Sequence, residues 1–236
     1  MCSSDLFQSL GILKDNTQQA LEVFKPAIAA NPAPSPISRT ILFSGHMIDE
    51  PGRNPPRFPD SLTGKVRDAI TSKLQQEQAR TAGSVVALAS GASGGDLLFH
   101  EVCEELGIEH RLYLPLPPDR FRNESVSPAG REWEDRFDGL LKQSKTSKCM
   151  AASPDLPIWL SAKKGYTSWQ RANLWLVHEA LALGADNFTL LALWDGVKTE
   201  GLGGTSHTRM LAQKYGAALV TIYTNELLSA AGTVAT

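Results

Sequence analysis

Short apolar runs punctuate this chain, each ending in turn-forming residues: TILFS at 40–44, SVVALA at 84–89, RLYLPL at 111–116 and FTLLAL at 188–193. Runs of that length with little polar alternation predict strands buried on both faces, as the strands of parallel sheets are. Between them the apolar spacing changes to three and four residues. Val66, Ala69, Ile70 and Leu74 share one face of a helix over 63–81, and Leu97, Leu98, Val102 and Leu106 one face of a helix over 95–107. Trp133, Phe137 and Leu140 or Leu141 mark another over 130–142. A longer helix, capped by Thr167 or Ser168 and ending near Gly184, is apolar nearly all round, so it is expected to be buried. A short strand over 148–152, a helix ending at Tyr215 and a strand over 218–223 complete the series. Strands alternating with helices in this way predict a doubly wound, Rossmann-like α/β fold: a mostly parallel sheet with helices on both faces.

The first 36 residues differ. Asn16 or Thr17 caps a short amphipathic pattern carrying Leu21, Phe24 and Ile28, and NPAPSP at 31–36 then reads as a stiff linker. The division expected is an N-terminal helical extension and linker over 1–36, the α/β domain over 37–226, and a tail over 227–236.

Composition narrows the function classes. The formal net charge of −2 and pI near 6.2 give no basic footprint, which argues against nucleic acid as a partner. Cys2, Cys103 and Cys149 form no C-x-x-C pair, so free thiols in a reducing compartment are expected. His100, His110 and His178 have no metal-ligand spacing, and no metal or obligatory cofactor is expected. No apolar run is long enough to span a bilayer and no secretion signature opens the chain, so the cytoplasm is the expected location.

Candidate chemistry gathers after the strands. SGASGGD follows the second strand: Gly91, Gly94 and Gly95 allow a tight turn and close approach of a ligand, with Ser93 as helix N-cap. A helix N-terminus presents free N–H groups and the positive end of a dipole, which favour phosphate. GLGGTSHT at 201–208 is a second loop of the same kind, so two helix N-termini can meet at one sheet edge. After the first strand come His46, Asp49, Arg53 and Arg57 in a long proline-rich loop. Arginine grips phosphate bidentately, which makes Arg53, Arg57 and Arg171 the candidate anion contacts. Arg171 and Asn173 stand out as polar residues at the start of an otherwise apolar helix.

With these motifs in order, SGH after the first strand, SGASGGD after the second, and LWDG followed by GGT after a late strand, the chain over 39–224 resembles the SLOG superfamily of Rossmann-like domains. That group takes in the lysine-decarboxylase-like phosphoribohydrolases, the DNA-processing protein A family, and sensors of nucleotides or NAD-derived signals. The resemblance implies a nucleotide or nucleotide-derived ligand on a floor begun by Ser44 and Gly45. It implies one phosphate or ribose wrapped by Gly91, Ser93, Gly94, Gly95 and Asp96, and a second phosphate held by Gly203, Gly204 and Thr205. The phosphoribohydrolase signature places a glutamate three residues after its threonine, where this chain has Thr208. Binding or sensing, through an effector protein or a second copy of the chain, is therefore the first reading, and hydrolysis of a nucleoside monophosphate N-glycosidic bond the alternative. That alternative needs another carboxylate. Asp49, Asp96, Asp195 and Glu124 are available, with His46 as acid, base or phosphate donor. Asp96 either bonds ribose hydroxyls or is an early-helix acid favoured by the dipole, and Asp195 either contacts the ligand or holds its own turn.

Overall fold

The structure is a computed structural model in which residues 37–144, 146–197 and 203–232 are described. The extension and linker expected over 1–36 lie outside these residues, as does Gly201 of the second glycine loop.

Strand β1 (Ile37–Gly45) is paired in parallel with β2 (Ser84–Ala89) on one side and β5 (Asn187–Trp194) on the other. Beyond β2 lie β3 (Glu109–Leu114) and β4 (Ser147–Cys149), and beyond β5 lies β6 (Ala218–Tyr223), giving the order β4-β3-β2-β1-β5-β6, all parallel. The side-chain period of two sorts the core into two layers. Ile41 and Phe43 face a layer built from α1 (Thr63–Ala79), α2 (Gly95–Glu105), α3 (Pro118–Ser125) and α4 (Arg131–Gln143). Leu42, Leu88 and Leu190 face the other, built from α6 (Ser168–Ala182) and α7 (Thr205–Lys214). The chain is thus a doubly wound α/β fold. Phe43 and Phe99 stack across the first layer with ring centroids 4.6 Å apart. Connections leave β1 and β5 in opposite directions along the sheet, so a crevice opens at their carboxyl ends, where open α/β sheets bind ligands.

Several boundaries differ from the sequence reading. The third strand lies two residues earlier, over Glu109–Leu114. Pro118 starts helix α3, because proline at the first helical position lacks only an N–H that has no intrahelical acceptor. Glu124 therefore stands on a helix. A one-turn helix α5 (Ile158–Ser161) interrupts the loop before α6. The segment expected as a tail from 227 belongs, as far as Gly232, to helix α8 (Thr224–Gly232), whose Leu227 and Leu228 pack on the first core layer. Among the described residues no helix is long and apolar enough to cross a membrane.

Candidate ligand-binding site

A cavity of about 480 Å³ occupies the crevice at the carboxyl ends of β1, β2 and β5. That is within the usual range for small-molecule sites. Ser44 and Gly45 lie on its floor, with Ser90 and Asp96 beside them. The first turns of α6 bring Trp169 and Asn173, and the start of α7 brings Gly203 to Ser206. Arg57 and His46 come from the loop after β1, and Phe121 and Glu124 from α3.

In the second glycine loop, Gly203 and Gly204 do different work. Gly203 has φ +113°, and a β-carbon there would lie 2.5 Å from Trp169 Cβ. Only glycine fits both the backbone and the space. Gly204, at φ −82°, is the N-cap of α7 and has open space where a side chain would go. Asn173 Nδ2 donates to Gly203 O at 2.8 Å and lies 3.2 Å from His207 Nδ1, which ties this turn to α6. The N–H groups of His207 and Thr208 both donate to Gly204 O. Those of Thr205 and Ser206 have no acceptor among the described residues, and both residues line the cavity. Thr208 is buried, with its hydroxyl 3.4 Å from that of Ser44.

The glycines of the first loop are packed closely against protein. A β-carbon on Gly91 would crowd Phe137 and Leu112, one on Gly95 would crowd Gly45 and Leu193, and one on Gly94 would lie 2.7 Å from Ile48 N. Gly94, at φ +93°, is the N-cap of α2, and Ser93 is not. The Ser93 hydroxyl is fully buried without a partner among the described residues. The backbone of this loop is also engaged: Gly95 N–H donates to His46 O at 3.1 Å and Ser93 N–H to Ser125 O at 2.9 Å. Gly91, Ser93, Gly94 and Gly95 do not line the cavity. What the loop delivers there is Asp96, whose Oδ2 accepts a short hydrogen bond from Ser90 Oγ and a longer one, at 3.4 Å, from Ala92 N–H. Burial outweighs these bonds and raises the Asp96 pKa to about 6.

The loop after β1 separates its candidates. Asp49 holds the loop shut: its Oδ2 accepts from Arg57 N–H at 2.7 Å and Phe58 N–H at 2.8 Å, and Arg53 Nε lies 3.3 Å from its Oδ1. Neither Asp49 nor Arg53 lines the cavity. Arg57 does. Its Nε is buried without a partner among the described residues, and burial, with the neighbouring Arg53 cation, lowers its pKa. His46 is buried beside it, its Nε2 3.0 Å from Asp195 N and 3.3 Å from Asp195 Oδ1. Burial, then Arg57, lowers its pKa against the opposing pull of Asp195. The Asp195 carboxylate accepts from Val197 N–H at 3.0 Å, so it holds its own turn. Arg171 is half-buried on α6 and does not line the cavity, whereas Asn173, two residues on, does.

Phe121 is a cavity residue that the sequence reading does not single out, and Glu124, one of the candidate carboxylates, lines the cavity beside it. Phe121 packs edge-on against Trp169 with centroids 6.4 Å apart, and Glu124 pairs with Arg120 at 2.5 Å on the same helix. Both sit on α3, whose proline-led start resembles a loop in sequence. No group of three or more His, Cys, Asp or Glu among the described residues is arranged to hold a metal ion.

No family model and no curated protein matches the sequence. Among solved structures, the chain is similar to DNA processing protein A from Streptococcus pneumoniae, at 14% identity and a TM-score of 0.33, over 82% of this chain and 61% of that one. SuiB of Streptococcus suis, solved bound to S-adenosylmethionine, gives 12% identity and a TM-score of 0.28 over 87% of this chain and 52% of that one. MnaA of S. aureus, solved with UDP, gives 8% identity and 0.31 over 79% and 68%. The chain spans less than two thirds of the length of the first two.

Proposed function

We propose that the chain binds a nucleotide or nucleotide-derived ligand in this cavity and acts as its sensor. The observation that carries the reading is the pair of N–H groups at Thr205 and Ser206, which have no acceptor among the described residues, beside a cavity also lined by Arg57, whose Nε has no partner among those residues. Helix N–H groups and an arginine together suit a phosphate. In the same cavity, Trp169 and Phe121 offer an aromatic wall for a base. Ser44 and Asp96 also line the cavity, where a ribose hydroxyl could be bonded. The anion is gripped by one glycine loop, with the other supplying Asp96.

A specific feature keeps the hydrolytic alternative. Asp96 and Glu124 are two carboxyl groups lining one cavity, and Asp96, with a pKa of about 6, is suited to exchange a proton near neutrality. The test is a thermal-shift series with AMP, ADP, ADP-ribose and NAD, followed by mass spectrometry of the same wells. A ligand at a hundredfold its dissociation constant adds about 2.7 kcal/mol, which raises the melting point by about 5–10 °C for a chain of this length. A shift with intact ligand supports a sensor, and free base supports the hydrolase. No shift with any of the four removes the nucleotide reading.

A further inference from the structure

Between β4 and α6 the chain leaves the sheet at its carboxyl edge and returns through a loop whose neck is nearly closed, with Ser168 Oγ donating to Pro154 O at 3.4 Å. Compact loops with adjoining ends frequently carry function. At the far side of this one is the single turn α5, begun by Pro157, and its first two side chains are left in solvent: Ile158 is 90% exposed and Trp159 75%. Lys163 and Lys164 follow, both exposed and neither in an ion pair among the described residues. Lys163 Nζ lies 4.6 Å from the centroid of the Tyr166 ring.

The neck adjoins the cavity wall. Thr167 caps α6 through a reciprocal pair of bonds with Gln170, and Trp169, next to Ser168, lines the cavity and packs against Gly203. The loop hangs from this capped helix start. Five residues from Pro154 to Trp159 reach roughly 17 Å when extended. Gly165, at φ +72°, gives the return limb a residue that tolerates backbone rotation.

We propose that this loop closes over the cavity, with Trp159 stacking on the ring of the bound nucleotide-type ligand and Lys163 and Lys164 approaching its phosphate. The inference rests on the nucleotide reading above. Its support is that one loop, rooted beside the cavity, carries an uncovered aromatic side chain and two exposed cations, the two chemistries that the two ends of such a ligand require. Closure would bury Ile158 and Trp159 and seal a cavity that is open to solvent. It would also place a second aromatic face opposite the Trp169 wall.

Hydrogen–deuterium exchange on the full chain, with AMP and with ADP-ribose as probes, tests it alongside a Trp159→Ser variant. The expected result is slower exchange over both 203–208 and 154–168, with affinity reduced by on the order of tenfold in Trp159→Ser, as loss of one stacked ring implies. Because Trp159 is exposed, the melting point of the free variant should match that of the wild type. A Lys163→Ala, Lys164→Ala double variant should bind more weakly and with a shallower salt dependence. Slower exchange over 203–208 alone, with full affinity in Trp159→Ser, overturns the loop and leaves the cavity reading in place. No binding of either probe and no change over 203–208 removes the cavity reading and the loop with it. If Trp159→Ser instead abolishes self-association, or binding to phosphatidylserine vesicles, while keeping full affinity for the probes, another surface covers the patch and the closing loop is wrong.

Discussion

Asn173 Nδ2 holds Gly203 O at 2.8 Å, and through that bond a residue on α6 fixes the turn that opens α7. The aim of the Thr205 and Ser206 N–H groups depends on where this turn sits. Asn173→Ala should weaken binding of AMP or ADP-ribose by about tenfold, while costing about 1 kcal/mol of stability for one partly buried hydrogen bond. Isothermal titration and urea denaturation separate the two effects. Unchanged affinity in a destabilised variant would make Asn173 a packing residue only.

Gly204 permits a cleaner separation. Its backbone is ordinary and nothing lies within 4 Å of an added β-carbon, so Gly204→Asp is sterically allowed. Aspartate is also a good N-cap, and α7 should be held at least as firmly as in the wild type. The same carboxylate occupies the anion site and repels phosphate. The variant is expected to melt no lower than the wild type and to lose measurable phosphate-dependent binding. Retained affinity would place the anion elsewhere.

The first glycine loop predicts the opposite pattern. Gly94→Ala forces a side chain into a backbone conformation at φ +93° and to within 2.7 Å of Ile48 N. The backbone strain alone is worth about 1–3 kcal/mol. Chemical denaturation should show at least that loss. A variant of full stability with weakened ligand binding would return this glycine to the ligand.

Two buried groups set opposing pH dependences. Asp96 has a pKa of about 6 in the fold and about 3.9 in an unfolded chain. Between those values the native state binds more protons, so stability falls as pH rises, by about 3 kcal/mol in all. His100 is pushed down to about 3 by burial and by the neighbouring His110. Its unfolded value is about 6.5, so its contribution is complete above that pH and is lost on acidification, by about 5 kcal/mol in all. From pH 4 to 6 the two slopes oppose each other. Asp96→Asn removes one of them, and the variant should lose about 1.4 kcal/mol more per unit than the wild type as pH falls through that window. Urea denaturation at pH 4, 5 and 6 reads this directly, and parallel curves would refute it.

The sequence determined the layered architecture, because a strand buried on both faces and an amphipathic helix leave different periods in the chain. TILFS, SVVALA and FTLLAL lie within the central strands β1, β2 and β5, and Gly107 and Gly184 follow their helices with φ of +65° and +64°. It also located the edge of the sheet at which Ser44, Gly45, Arg57, Gly203, Gly204 and Thr205 meet around one cavity. Tertiary structure alone decided what each glycine accommodates. Gly94 and Gly204 look alike as letters, yet one is pressed against the backbone of residues 46–48 and the other faces open space, a difference set by neighbours distant in sequence. It likewise decided that Asp49 closes its own loop while Asp96 faces the cavity, and that Asn173 rather than Arg171 reaches it. On an apolar helix, positions 171 and 173 point about 200° apart, and which of them meets the cavity depends on how α6 packs against the sheet.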